Sequence, residues 1–101
     1  MLGTVYTLGV WRVKPGQEPA FIEAWRALGI IFRRLPKPPT GKGTLIQSLT
    51  DSCLFYSFGP WRDLEDIQEM RSNPDAVEGI RLLRELCMEG SPGTFRVVAE
   101  S

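Results

Sequence analysis

Histidine is absent from this chain of 101 residues. That absence removes Ser-His-Asp and Cys-His nucleophile systems, His-ligated zinc or iron, and haem held by a proximal imidazole. Cysteine is scarce. Cys53 and Cys87 form no CxxC unit, lie far apart in sequence and cannot complete a thiolate zinc site. They read as small apolar core residues rather than a disulfide or metal pair, and no metal site is expected. An excess of either charge is also missing, because twelve Lys and Arg are cancelled by twelve Asp and Glu. With no basic stripe, neither nucleic acid nor an anionic membrane is expected as a partner. No apolar run approaches the ~18 residues that span a bilayer. Met1-Leu2-Gly3-Thr4 carries neither the basic region nor the cleavage site of a leader. The expectation is a cytoplasmic protein.

What is present suits a single domain over residues 1–101. Thr4 to Lys14 is rich in Val, Thr, Tyr and Trp and reads as a first strand, broken by Pro15-Gly16. Phe21, Trp25, Leu28 and Phe32 then form one apolar stripe on a helix over about Gln17 to Phe32. Leu35 to Gly43, with three prolines and two glycines, is an exposed loop. Thr44 to Leu49 and Leu54 to Pro60 make a strand hairpin. Asp63 caps a short helix with Leu64, Ile67 and Met70 on its buried edge, while Glu65, Asp66 and Glu69 are expected on its exposed side. Asn73 caps a second helix opened by Pro74 and running to about Met88, with Ala76, Ile80, Leu83 and Cys87 in its stripe. Gly90-Ser91-Pro92-Gly93 is expected to turn the chain, and Thr94 to Ala99 to form the fourth strand.

The order is β-α-β-β-α-β, with the second helical region split. It predicts an α+β fold of the ferredoxin-like, split β-α-β type: a four-stranded antiparallel sheet with helices on one face. In such a layer the other face should be polar. Here both faces of the first strand are apolar, and the third strand puts Phe55 and Trp61 on one side with Leu54, Tyr56 and Phe58 on the other. So large an apolar face in water exceeds what soluble monomers tolerate, and a second copy of the chain, sheet against sheet, is its expected cover.

Val13-Lys14-Pro15-Gly16, followed by Phe21-Ile22-Glu23-Ala24-Trp25, resembles the opening of the antibiotic biosynthesis monooxygenase domain family. Phe55-Tyr56-Ser57 through Trp61, then Leu64 and Met70-Arg71-Ser72, is similar to that family's strand-Trp-helix segment, and Gly93-Thr94-Phe95 to its closing strand. The resemblance implies a dimeric α+β barrel. Members that oxidise polycyclic phenols to quinones use no metal or flavin, and have an Asn, a Trp and an Arg around the pocket. Trp61 matches the Trp, Ser57 stands where the Asn would be, and Arg81 is the counterpart of the Arg. The haem-degrading branch pairs a second Trp with a His. This chain has Met70 near that Trp position and no His.

Ser57 and Trp61 lie four apart on one strand and so share a face. Trp61 can offer its indole N–H to a ligand oxygen, or simply pack the strand-helix corner. Trp25, Gln47 and Tyr56 are candidate substrate contacts. Tyr6 and Tyr56 could exchange a phenolic proton, although alternation puts Tyr56 opposite Trp61, toward the dimer interface. Gln47 either orients a substrate carbonyl or bonds backbone or a partner chain. Arg81 either anchors an anionic oxygen or is solvated, and Arg33, Arg34, Lys37 and Lys42 flank the Pro-rich loop with the same two options. No carboxylate falls within an apolar strand to act as base. Two functions remain open: a cofactor-independent monooxygenase acting on a small aromatic or quinol-like substrate, and a non-catalytic homodimeric module that binds a small apolar ligand.

Overall fold

The computed structural model describes residues 2–101. Their elements run β1 (Val5–Val13), α1 (Glu18–Arg33), β2 (Thr44–Gln47), β3 (Leu54–Trp61), α2 (Leu64–Ser72), α3 (Pro74–Glu85) and β4 (Cys87–Arg96). The junctions follow from local chemistry. Lys14-Pro15-Gly16-Gln17 turns β1 into α1, with Gly16 at φ 87 and the Gln17 N–H bonded to the Lys14 carbonyl at 3.0 Å. Pro followed by a Gly at positive φ is what a type II turn requires. The Asp63 carboxylate accepts the Asp66 backbone N–H at the start of α2. Asn73 does the same for Asp75 and Ala76 at the start of α3, with Pro74 in its first turn.

The strands form one antiparallel sheet in the order β2-β3-β1-β4. Together with three helices against one face, this is the ferredoxin-like α+β fold that the element order predicts. Two apolar clusters lie beneath the helices. One joins Trp11, Val13, Phe21, Leu28, Phe55, Leu83 and Cys87; the other joins Trp61, Ile67, Met70 and Ala76. Gly79 lets α3 close onto α1, since a Cβ there would lie 2.7 Å from a Leu28 methyl. The opposite face of the sheet carries Tyr6, Leu8, Val10, Ile46, Tyr56, Phe58 and Phe95, and among the described residues no helix packs on it. Ile46, Tyr56 and Phe95 are 49%, 40% and 54% exposed. Among the described residues no helix is long and apolar enough to cross a membrane. Cys53 and Cys87 are both free thiols, and burial pushes the Cys87 thiol up.

Several expectations are corrected. Helix α3 stops at Glu85, and Gly90-Ser91-Pro92-Gly93 is not a turn: it is the middle of β4, paired with Trp11, Val10, Gly9 and Leu8. The free edge of β1 draws those residues into the ladder. A proline is tolerated there because β4 is an edge strand. Cys87 therefore reaches the core from β4, opposite Val13, rather than from a helix stripe. Asp66 is not on an exposed side; it is 2% exposed. Arg62 grips it with two hydrogen bonds, 3.0 Å from Nε and 2.8 Å from Nη2, and that charge-assisted pair offsets the loss of water. Strand β2 is also shorter than expected, ending at Gln47, because the Ser48 hydroxyl turns the chain by accepting the Thr50 and Asp51 N–H groups.

Candidate functional site

Along the helix-facing side of β1 the residues read Val5, Thr7, Gly9, Trp11; along β3 they read Phe55, Ser57, Gly59, Trp61. Antiparallel pairing sets Val5 beside Trp61, Thr7 beside Gly59, Gly9 beside Ser57, and Trp11 beside Phe55. Large side chains therefore meet large ones near the two ends, where the two core clusters form. Small ones meet small ones in the middle. No side chain there can rise to touch the helices, and the gap between the clusters is a cavity of about 1100 Å³. Its walls include Trp25, Leu28 and Phe32 of α1, Ile80 and Leu83 of α3, and residues 39–43 of the Pro-rich loop. That loop folds back onto β3, with the Thr40 N–H bonded to the Pro60 carbonyl at 3.1 Å. It is a wall of the site rather than merely an exposed connection.

Two indole-hydroxyl pairs cross the floor. Trp11 Nε1 donates to Ser57 Oγ at 2.9 Å, and Trp61 Nε1 donates to Thr7 Oγ1 at 3.1 Å. The Trp11 ring reaches Ser57 only because it crosses a glycine: a Cβ on Gly9 would stand 2.6 Å from Trp11 Nε1 and 2.9 Å from Ser57 Oγ. Gly90 frees the ring's other edge, where a Cβ would lie 2.9 Å from Trp11 Cε3. Each hydroxyl oxygen accepts an indole proton, so the orientation is set and each hydroxyl keeps its own proton to donate.

The six candidate residues do not converge on one point. Ser57 and Trp25 line the cavity, and Trp25 packs where a Cβ on Gly43 would lie 3.4 Å from its ring. Trp61 is 2% exposed in the second core cluster, edge-on to Phe32 at 5.5 Å; it lies behind the cavity wall and holds Thr7 of the floor by a hydrogen bond. Arg81 is at the rim, with its guanidinium bonded to Glu78 (2.9 Å from Nε) and to Glu85. Glu78 is held below the usual carboxylate range by its hydrogen bond to that guanidinium. Gln47 Nε2 donates to the Ser52 carbonyl at 2.8 Å, inside the β2-β3 hairpin. Tyr56 is on the open face of the sheet.

Trp11 and Thr7 belong to the cavity floor without having been singled out from the sequence. Their signal is the large-small-small-large pattern of two strands at once, which becomes readable only when the register is known. Among the described residues no Asp, Glu or Cys lines the cavity. Among the described residues no group of three or more His, Cys, Asp or Glu side chains is placed to hold a metal ion.

No protein-family model and no curated protein matches the sequence. Solved structures do match. SnoaB, a cofactor-independent oxygenase from Streptomyces nogalater, superimposes with a TM-score of 0.84 over 97% of this chain and 96% of its own, at 17% identity. A structure described as an antibiotic biosynthesis monooxygenase gives 0.77 over 94% of this chain and 99% of that one, at 14% identity. A conserved protein from Methanosarcina mazei gives 0.78 over 94% and 93%, at 18% identity. At such identities the likeness establishes the fold, and the chemistry has to be argued from the side chains.

Proposed function

We propose that this chain, whose fold is that of the antibiotic biosynthesis monooxygenase-type proteins, is a cofactor-independent oxygenase. Its substrate is a small aromatic or quinol-like molecule held between the sheet and α1. The observation that carries the reading is the flat-floored cavity with Trp11 beneath, Trp25 at the side and the Ser57 and Thr7 hydroxyls facing in. A planar ring can lie on such a floor, and each hydroxyl can donate to an oxygen substituent.

Oxygenation of this kind turns a ring CH₂, the tautomer of a ring phenol, and O₂ into a ring C=O and water. One oxygen stays on carbon, and the other departs with both hydrogens. The electrons come from the substrate's anion, which a water-poor cavity protects from competing reactions. Among the described residues no carboxylate, imidazole or thiol lines the cavity, so in this reading the substrate ionises by its own acidity. The roles of Ser57, Trp25 and Thr7 are binding and orientation. Trp61 and Trp11 position the two hydroxyls.

The competing reading, a non-catalytic module that binds a small apolar ligand, draws support from the same lack of a base. Oxygen uptake with a panel of dihydroxy-aromatics separates the two. Wild type is expected to consume one O₂ per product formed. Ser57→Ala should lower the rate by roughly tenfold or more if its hydroxyl stabilises developing charge on oxygen. Saturable ligand-induced change in Trp fluorescence without any uptake would leave only the binding module.

The working unit in this reading is a homodimer closed by the open sheet faces, because Ile46, Tyr56 and Phe95 leave a continuous apolar surface in water. Sedimentation of wild type is expected to give twice the mass of one chain, and Tyr56→Lys with Phe95→Lys the mass of one. A wild type that stays single at micromolar concentration would remove the dimer. The two free thiols suit a reducing compartment, consistent with the cytoplasm.

A further inference from the structure

Charge around the cavity is segregated although the chain as a whole is neutral. Among the described residues six cationic ones line it, Arg26, Arg33, Lys42, Arg71, Arg81 and Arg84, and no Asp or Glu does. Three of the six are already engaged. Arg26 pairs with Glu23 at 2.8 Å, Arg81 with Glu78 and Glu85, and Arg71 donates to Thr94 Oγ1 at 3.0 Å. Arg33, Lys42 and Arg84 have no ion pair among the described residues. They come from three different elements: the last turn of α1, the Pro-rich loop and the last turn of α3. Two glycines shape the approach of their side chains. Arg33 Nη1 would be 3.8 Å from a Cβ on Gly29, one turn back on α1, and the Arg84 stem would be 3.9 Å from a Cβ on Gly90 of β4.

Resting on the reading that this cavity takes an aromatic ligand, we propose that the ligand carries a carboxylate, received at the mouth by Arg33, Lys42 and Arg84. A planar guanidinium matches the two oxygens of a carboxylate. Three cations with no competing anion favour that group over a neutral one. The carboxylate stays at the wetter rim, where less solvation is lost, while the ring system enters the apolar interior. Arg33 and Arg84 are also where a helix dipole favours a cation. The test must therefore read the charge of the ligand and not only the stability of the fold.

Isothermal titration calorimetry with 2-naphthoate and its neutral isostere 2-naphthamide does so. Wild type is expected to bind the naphthoate about tenfold tighter at low salt, with the preference largely screened near 0.5 M salt. Arg33→Gln and Arg84→Gln should each weaken the naphthoate by roughly fivefold while moving the amide by less than about twofold, since only the charged ligand loses a partner. The amide's affinity also reports that each variant is folded. Equal affinity of wild type for the two compounds would overturn the carboxylate while leaving the aromatic cavity standing. So would variants that lose thermal stability yet keep the preference, which would assign both arginines to the helix ends. Binding of neither compound would overturn the aromatic cavity, and the carboxylate with it.

Discussion

Trp61→Ala is expected to lower the stability of the domain by about 3–5 kcal/mol, the range for truncating a buried aromatic. The side chain is 2% exposed and packs with Ile67, Met70, Ala76 and the edge of Phe32. Those contacts fasten α2, the start of α3 and the end of α1 to the sheet. Domains of this size are held by about 5–15 kcal/mol in total, so the variant should melt some 15–30 °C lower or fail to fold. Trp61→Phe separates packing from hydrogen bonding. It keeps an aromatic ring in the core while deleting the donor to Thr7 and part of the indole volume, at an expected cost of about 1–2 kcal/mol. A thermal or urea melt decides the matter: a loss below about 1 kcal/mol for the alanine variant would mean that Trp61 is not a core residue. Its effect on the cavity would then have to be direct rather than through Thr7.

The second large effect is expected at a residue with no side chain. In Gly9→Val the new Cβ would approach Trp11 Nε1 to 2.6 Å, Trp11 Cε2 to 2.8 Å and Ser57 Oγ to 2.9 Å. All three are closer than atoms tolerate, and none is the free end of a flexible chain. The indole has to leave the floor. Its hydrogen bond to Ser57 breaks, and the added methyl groups occupy the middle of the cavity. Overpacking and an orphaned donor together should cost about 2–4 kcal/mol. Affinity for any aromatic ligand should fall by more than about tenfold, because the flat surface for the ring is gone. Gly29→Ala is the matched control for stability. Its Cβ has nothing nearer than Arg33 Nη1 at 3.8 Å, and it should gain about 0.5–1 kcal/mol from restricting the unfolded chain. Denaturant melts of both variants, with calorimetric titration of Gly9→Val, test the pair. Unchanged stability and ligand affinity in Gly9→Val would refute the floor geometry.

Much of the fold could be read from local signals because those signals are enforced by local physics. Asp63 and the pair Asn73-Pro74 start helices wherever they can satisfy the first free N–H groups, and they do so here. The alternation in β1 and β3 follows from the pleat itself. Gly90-Ser91-Pro92-Gly93 misleads for the converse reason. Its composition favours a turn, but the long edge of β1 offers it a ladder, and tertiary pairing outweighs a weak local preference. Asp66 misleads because a carboxylate is ordinarily solvated, and only its two bonds from Arg62 make burial tolerable.

The site divides in the same way. Ser57 and Trp25 were legible as candidates, one through its face and the other through its stripe, and both line the cavity. Trp11 and Thr7 were not. Nothing in one strand indicates that its small residues will meet small residues on the next; register alone brings Gly9 to Ser57 and Thr7 to Gly59. By itself the order of residues determined the element types, the caps, the apolarity of both sheet faces and the absence of imidazole chemistry, all of which depend on neighbours along the chain or on composition. Folding in three dimensions decided where space was left, which indole supports which hydroxyl, and that cations of three separate elements line one cavity. Those outcomes depend on contacts between residues distant in sequence, and a linear pattern does not encode the distances between them.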